Sequence, residues 1–281
     1  MLPFGGIPNL KEQGADWMYP EMFSLGNLTV HSYGLMIALA ILVTALLLYR
    51  EAPREKINPD YILEAVIVAG LGGLLGARIL YMFLNWSYYS TQPLSAFFTQ
   101  FEGLSFYGGF FLATILLYFW SRWRQVGFLK LSDFMAPYLA LGYAFGRMGC
   151  FLNGCCYGAE TNVPWALPIR PGDEILRHPV QLYALVGALL IFFILKRIRP
   201  VRPFVGFLTL ALFALYGLLR FTTEYFRYGE SIWLGLTNAQ LFSLALIFVV
   251  LLIMAVGFYF LTGDDMVKVK RKPKKKGHRK K

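Results

Sequence analysis

The chain is built from long apolar blocks parted by short polar stretches. Seven blocks, roughly 31–49, 62–84, 106–121, 133–151, 179–196, 204–225 and 239–262, stand out, and crossing a hydrocarbon core takes about 20 residues at about 1.5 Å of rise each. The pattern predicts an all-α polytopic membrane protein of about seven transmembrane helices. Basic residues gather after the first block (Arg50, Arg54, Lys56), the third (Arg122, Arg124, Lys130), the fifth (Lys196, Arg197, Arg199, Arg202) and the last. With seven spans these clusters share one side, and the positive-inside rule makes that side cytoplasmic, with the N-terminus outside. The expected organisation is therefore an N-terminal periplasmic segment 1–30, a membrane domain 31–262 with outside loops at 85–105, 152–178 and 226–238, and a basic cytoplasmic tail 263–281. The first span is expected to serve as the targeting signal.

Composition strengthens this reading. With 57% hydrophobic and 15% charged residues, the chain has too little charge to cover a soluble domain of its length. The net charge of +11 suggests nucleic acid at first sight, but ten of the basic residues lie between Lys268 and Lys281. No nucleic-acid partner is expected, and the tail reads as a solvated anchor or an anionic-lipid contact. The three cysteines, Cys150, Cys155 and Cys156, fall in one short window with no histidine at zinc-finger spacing, so neither a disulfide framework nor a metal site is expected. No cofactor is called for.

Charges inside the apolar blocks change the picture more. Arg78, Arg147 and Arg220 lie in the second, fourth and sixth blocks, each roughly 20–26 Å from the cytoplasmic start of its helix and so in the outer half of the bilayer. Glu224 and Arg227 continue the stripe of Arg220 at i+4 and i+7. A charge inside a span costs about 2.5–3.5 kcal/mol on insertion scales and faces a partner or cavity. Several arginines with Glu224 as the one obvious counter-charge leave surplus positive charge, which suits an anion that itself lives in the membrane. Guanidinium binds phosphate bidentately, so a phospholipid headgroup is the favoured class. Gly72 and Gly76, and Gly142, Gly146 and Gly149, have the small-residue spacing of close helix contacts; packing and backbone approach to a ligand both fit it.

The segments HSYGLMIAL (31–39), LGARILY (75–81), LSFYGG (104–109), SDFMAP (132–137), GRMGCFLNG (146–154), RHPVQLY (177–183) and RFTTEYFR (220–227) resemble, in order and spacing, the bacterial prolipoprotein diacylglyceryl transferases. The resemblance implies a multi-pass enzyme of the bacterial inner membrane. Such enzymes move the diacylglyceryl group of phosphatidylglycerol to the lipobox cysteine of a prolipoprotein signal peptide, forming a thioether and releasing glycerol phosphate. It implies that Arg147 contacts the headgroup, that Arg220 is essential, and that Glu224, Arg227, Tyr33 and Gly158 hold further functional positions. Asn153, His178 and Gln181, in the matching motifs, join Arg78 as expected lipid-binding residues. The nucleophile belongs to the substrate protein. The rival readings are a lipid-binding or transport protein without bond making, and a transferase of the same fold with another acceptor.

Two departures from the family pattern matter. Tyr107 stands where the family commonly has a histidine proposed as base for the thiol. With an ordinary pKa of about 10 a tyrosine is a poor base, which leaves a base with depressed pKa, a phosphate ligand and a structural ring as readings of Tyr107. Cys150 replaces a common asparagine. For Cys150, Cys155 and Cys156 the readings are small packing residues, a disulfide from Cys150, or lipid acceptance.

Overall fold

A computed structural model of the chain describes residues 20–25, 28–90, 105–168, 174–227, 229 and 232–261. The basic tail, most of the N-terminal segment and residues 91–104 lie outside the described residues. Seven long helices are present among the described residues: α1 (Ser32–Glu51), α2 (Pro59–Leu84), α3 (Phe106–Trp123), α4 (Phe128–Leu152), α5 (Val180–Ile198), α6 (Phe207–Glu224) and α7 (Asn238–Leu261). They coincide with the seven apolar blocks. The all-α expectation holds for every long element, and two small antiparallel pairs accompany the helices, β1 (Glu21–Leu25) with β2 (Leu28–His31) and β3 (Leu167–Pro168) with β4 (Leu176–Arg177). Backbone that leaves a helix still needs hydrogen-bond partners, and these short pairings supply them where the apolar pattern carries no signal.

Among the described residues, five helices are long and apolar enough to cross a membrane by length and hydropathy: those within Ser32–Glu55, Pro59–Leu84, Val180–Val201, Phe207–Glu224 and Asn238–Phe260. The remaining two are diluted by polar content, Arg122 with glycines in α3 and Lys130, Asp133 and Arg147 in α4. Leu63, Ile67, Leu71, Phe193, Phe248 and Leu252 are exposed, an apolar exterior that suits hydrocarbon rather than water. The protein is a polytopic membrane protein.

Local signals explain the helix starts. Asn58 accepts a hydrogen bond from the Asp60 amide at 3.0 Å ahead of Pro59, a side-chain cap with proline at the first helical position. Thr237 and Gln240 bond each other's amides reciprocally, at 3.0 and 3.3 Å, and this capping box opens α7.

The chain divides into two compact units, Met1–Ala40 with Ala136–Lys281, and Ile41–Met135. In the second unit α2 and α3 meet along glycines: a Cβ on Gly76 would strike the Gly108 carbonyl, and one on Gly108 the Gly76 carbonyl. The expectation of close packing at Gly72 and Gly76 is met here by a backbone-to-backbone seam. Near one end of that seam Glu64 receives Arg124 at 2.6 Å and the Trp120 indole at 3.2 Å. In the first unit the core is Ala136 and Ala140 of α4, Ile191 and Leu195 of α5, and Leu208, Ala211 and Leu212 of α6.

Candidate functional site

The last turn of α6 and the turn that follows it bring the residues of the predicted stripe into contact. Arg220 Nη2 lies 2.9 Å from Glu224 Oε2 and Arg227 Nη1 lies 3.8 Å from the same oxygen. The Glu224 side chain is only 10% exposed, against 23% for Arg220 and 24% for Arg227. Among the described residues, Oε2 meets these charges without an aligned hydrogen bond. A buried carboxylate oxygen in that condition accepts readily from an incoming donor.

Arg147, on α4, is linked to this group through two tyrosines that the charge pattern did not reveal. Its guanidinium carbon lies 4.7 Å from the Tyr143 ring centroid, and Tyr143 packs edge-on against Tyr216 at 5.5 Å and 86°. Tyr143 precedes Arg147 by one helical turn, and Tyr216 precedes Arg220 by one turn. Arg147 therefore stands over a ring of its own helix, and that ring meets Tyr216 of α6 to bridge the helices. The Arg220 charge reaches the Tyr143 hydroxyl as well. A tyrosine at i−4 to an arginine within an apolar block on both helices was a usable signal, masked by the abundance of aromatics.

The chain beyond α4 folds back onto the same region. The Gly154 amide bonds the Phe151 carbonyl and the Cys155 amide the Cys150 carbonyl, both at 3.1 Å, with Gly154 left-handed at φ 65°. This pair of bonds with a left-handed glycine is a Schellman C-cap, which sets the residue after the glycine over the third-last helical residue. Here those residues are Cys155 and Cys150. Cys156 follows at φ 61°, a conformation rare for a side-chain-bearing residue. The three Sγ atoms lie within 4.8 Å of one another, a convergence that linear spacing did not predict. Hydrogen bonds from the Cys150 and Cys155 thiols, then the charges of Arg227 and Arg147, push the Cys156 thiol well below its ordinary value.

Other expected residues hold this turn in place. Gln181, 4% exposed, donates to the Cys155 carbonyl at 2.7 Å. Asn153 lies beside the Cys155 thiol. Tyr33, 44% exposed, packs against Gly149, and its hydroxyl senses the thiol cluster and Arg147. Gly158 donates to the His178 carbonyl at 3.0 Å, and Ala159 donates to the Phe226 carbonyl at 2.8 Å. A Cβ on Gly158 would strike that Phe226 carbonyl, so the glycine lets the loop sit on the end of α6. His178 Nδ1 is 3.1 Å from the Tyr183 hydroxyl, which also accepts from the Trp165 indole at 2.6 Å.

Arg147, Tyr33, Asn153, Gly158, His178, Gln181, Arg220, Glu224 and Arg227 thus belong to one compact unit. Arg78 and Tyr107 belong to the other. There Arg78 lies 5.8 Å from the Tyr89 ring, and Tyr107 is 60% exposed with its ring edge-on to Phe106 at 6.0 Å.

Comparison with known proteins adds a family match. Residues 20–256 match the family model described as prolipoprotein diacylglyceryl transferase. A phosphatidylglycerol-prolipoprotein diacylglyceryl transferase of Finegoldia magna is 35% identical over 80% of this chain and 90% of its own length. Proteins of the same name from Geobacter sulfurreducens (36% identical, 74% of this chain and 82% of the relative) and Polynucleobacter necessarius (35%, 82% and 92%) are similar to the same extent.

Proposed function

The chain belongs to the prolipoprotein diacylglyceryl transferase family, and on that premise we propose that it transfers the diacylglyceryl group of phosphatidylglycerol to the lipobox cysteine of a prolipoprotein. The observation that carries this reading to particular residues is the pairing of Arg220 and Arg227 with the buried Glu224, with Arg147 joined to the same helix end through Tyr143 and Tyr216. Such a cluster holds more positive than negative charge and suits a phosphodiester.

In the reaction the substrate thiolate attacks the terminal glycerol carbon, an S–C bond forms, and the C–O bond to phosphate breaks with its electron pair left on the phosphate oxygen. Arg147 and Arg220 stabilise that developing charge, with the rings of Tyr143 and Tyr216 holding them apart and oriented. Glu224 Oε2, buried against Arg220 and Arg227, accepts from a hydroxyl of the headgroup glycerol once these guanidinium groups turn to the phosphate, and that donor distinguishes this lipid from phospholipids whose headgroups lack hydroxyls. The thiol proton leaves to a base, for which Tyr107 is the candidate by its place in LSFYGG, or to water in the guanidinium field. Seven spans, an outward N-terminus and residence in the bacterial inner membrane complete the proposal, and the basic clusters support that orientation.

The test is incubation of purified protein in phosphatidylglycerol nanodiscs with a lipobox cysteine peptide, followed by mass spectrometry. Peptide heavier by one diacylglyceryl group together with free glycerol phosphate is the expected result. Lipid binding without product overturns the transferase reading in favour of a binding or transport protein. Product formed at wild-type rate and pH dependence by Tyr107→Phe removes Tyr107 as base.

A further inference from the structure

We propose that Cys150, Cys155 and Cys156 form a binding site for a thiophilic d10 cation, Cu(I) or Zn(II), at the end of α4. The sulfur atoms lie within 4.8 Å of one another. Donors about 2.3 Å from a central ion stand roughly 3.8–4.0 Å apart, so side-chain rotations that draw them in by less than about 1 Å complete the site. The backbone is already built for it. The C-cap places Cys155 over Cys150, the left-handed Cys156 supplies the third sulfur, and the buried Gln181 amide holds the Cys155 carbonyl.

An all-sulfur donor set selects soft cations over calcium or magnesium. Charge favours it too. Three thiolates and one cation leave a net negative group, and Arg147 and Arg227 both act on it from close range. Each thiol that coordinates gives up its proton to solvent, so loading releases protons. A disulfide is the competing fate, but it joins only two of the sulfurs and leaves the third unused, whereas the geometry converges all three. Coordination also withdraws nucleophilic sulfurs from the neighbourhood of the arginines. That consequence rests on the proposed transferase activity; the binding itself does not.

The full chain, purified in detergent, is reduced and stripped of metal without oxygen, loaded separately with Zn(II) and Cu(I), desalted and analysed for metal content. The expected result is close to one ion per chain, with protection of the thiols from maleimide and no change in lipid transfer required for the readout. Cys156→Ser and Cys150→Ser lose stoichiometric binding. Gln181→Leu keeps every donor but loosens the turn, and lowers affinity about 10- to 100-fold. Wild-type protein that retains neither ion while three thiols titrate overturns the site, and so does protein that isolates with two of its cysteines oxidised to a disulfide.

Discussion

One helix pair in each compact unit makes its contact in the opposite way to the other. In the second, α2 and α3 meet where Gly76 and Gly108 bring backbone against backbone, and the polar Glu64, Arg124 and Trp120 group lies near the end of the seam. In the first, α4 and α6 meet through Tyr143 and Tyr216, each one turn from an arginine, and α6 ends in the Arg220, Glu224 and Arg227 group. Lipid offers no hydrophobic driving force between helices, so a seam needs close van der Waals contact, which glycine supplies. A seam lined by tyrosine and charge forgoes that closeness. It keeps polar groups between the helices that a ligand can use.

That contrast can be broken by mutation. The largest effect is expected for Arg220→Ala and Arg147→Ala, each lowering transfer to the lipobox peptide by at least about 100-fold, with the unfolding midpoint in detergent little changed. Turnover near wild type in either variant would mean that the first unit's cations are not the phosphate site. Glu224→Gln keeps the shape but removes the counter-charge that orients two guanidinium groups, and turnover should fall about 10- to 100-fold. Gly76→Ala should do the reverse of these, lowering stability by about 1–3 kcal/mol through overpacking while turnover per folded molecule stays close to wild type. A large loss of turnover in stably folded Gly76→Ala would erase the distinction between the units. The smallest effect is expected for Tyr143→Leu, where loss of the ring under Arg147 should raise KM for phosphatidylglycerol about 2- to 5-fold and leave kcat nearly intact.

Much of this was legible along the chain. The seven long helices follow the seven apolar blocks, because an apolar segment away from water must satisfy its backbone hydrogen bonds within itself. The pair Arg220 and Glu224 was readable for a similar reason, since positions one turn apart share a helix face, whereas Arg227 reaches Glu224 from the turn that follows the end of α6. The two strand pairs were not legible, since Leu167–Pro168 and Leu176–Arg177 are too short to carry an alternation. Nor was the partnership of Arg147 with Tyr143 and Tyr216, because a ring contact between helices depends on which faces the helices present to each other. His178 and Gln181 sat in a recognisable motif, but only the fold shows them bonding Tyr183 and the Cys155 carbonyl.

What the sequence determined by itself is therefore what hydropathy and helical period impose locally: the helices, the faces their charges share, and the surplus of arginine inside them. Tertiary structure decided which of those faces meet. Gly154 in GCFLNGCC illustrates the division. A glycine there announces the end of a helix, but the gathering of Cys150, Cys155 and Cys156 follows from a left-handed turn, a second positive φ and a glutamine from another helix. Those conditions join residues through space, and spacing along the chain does not encode them.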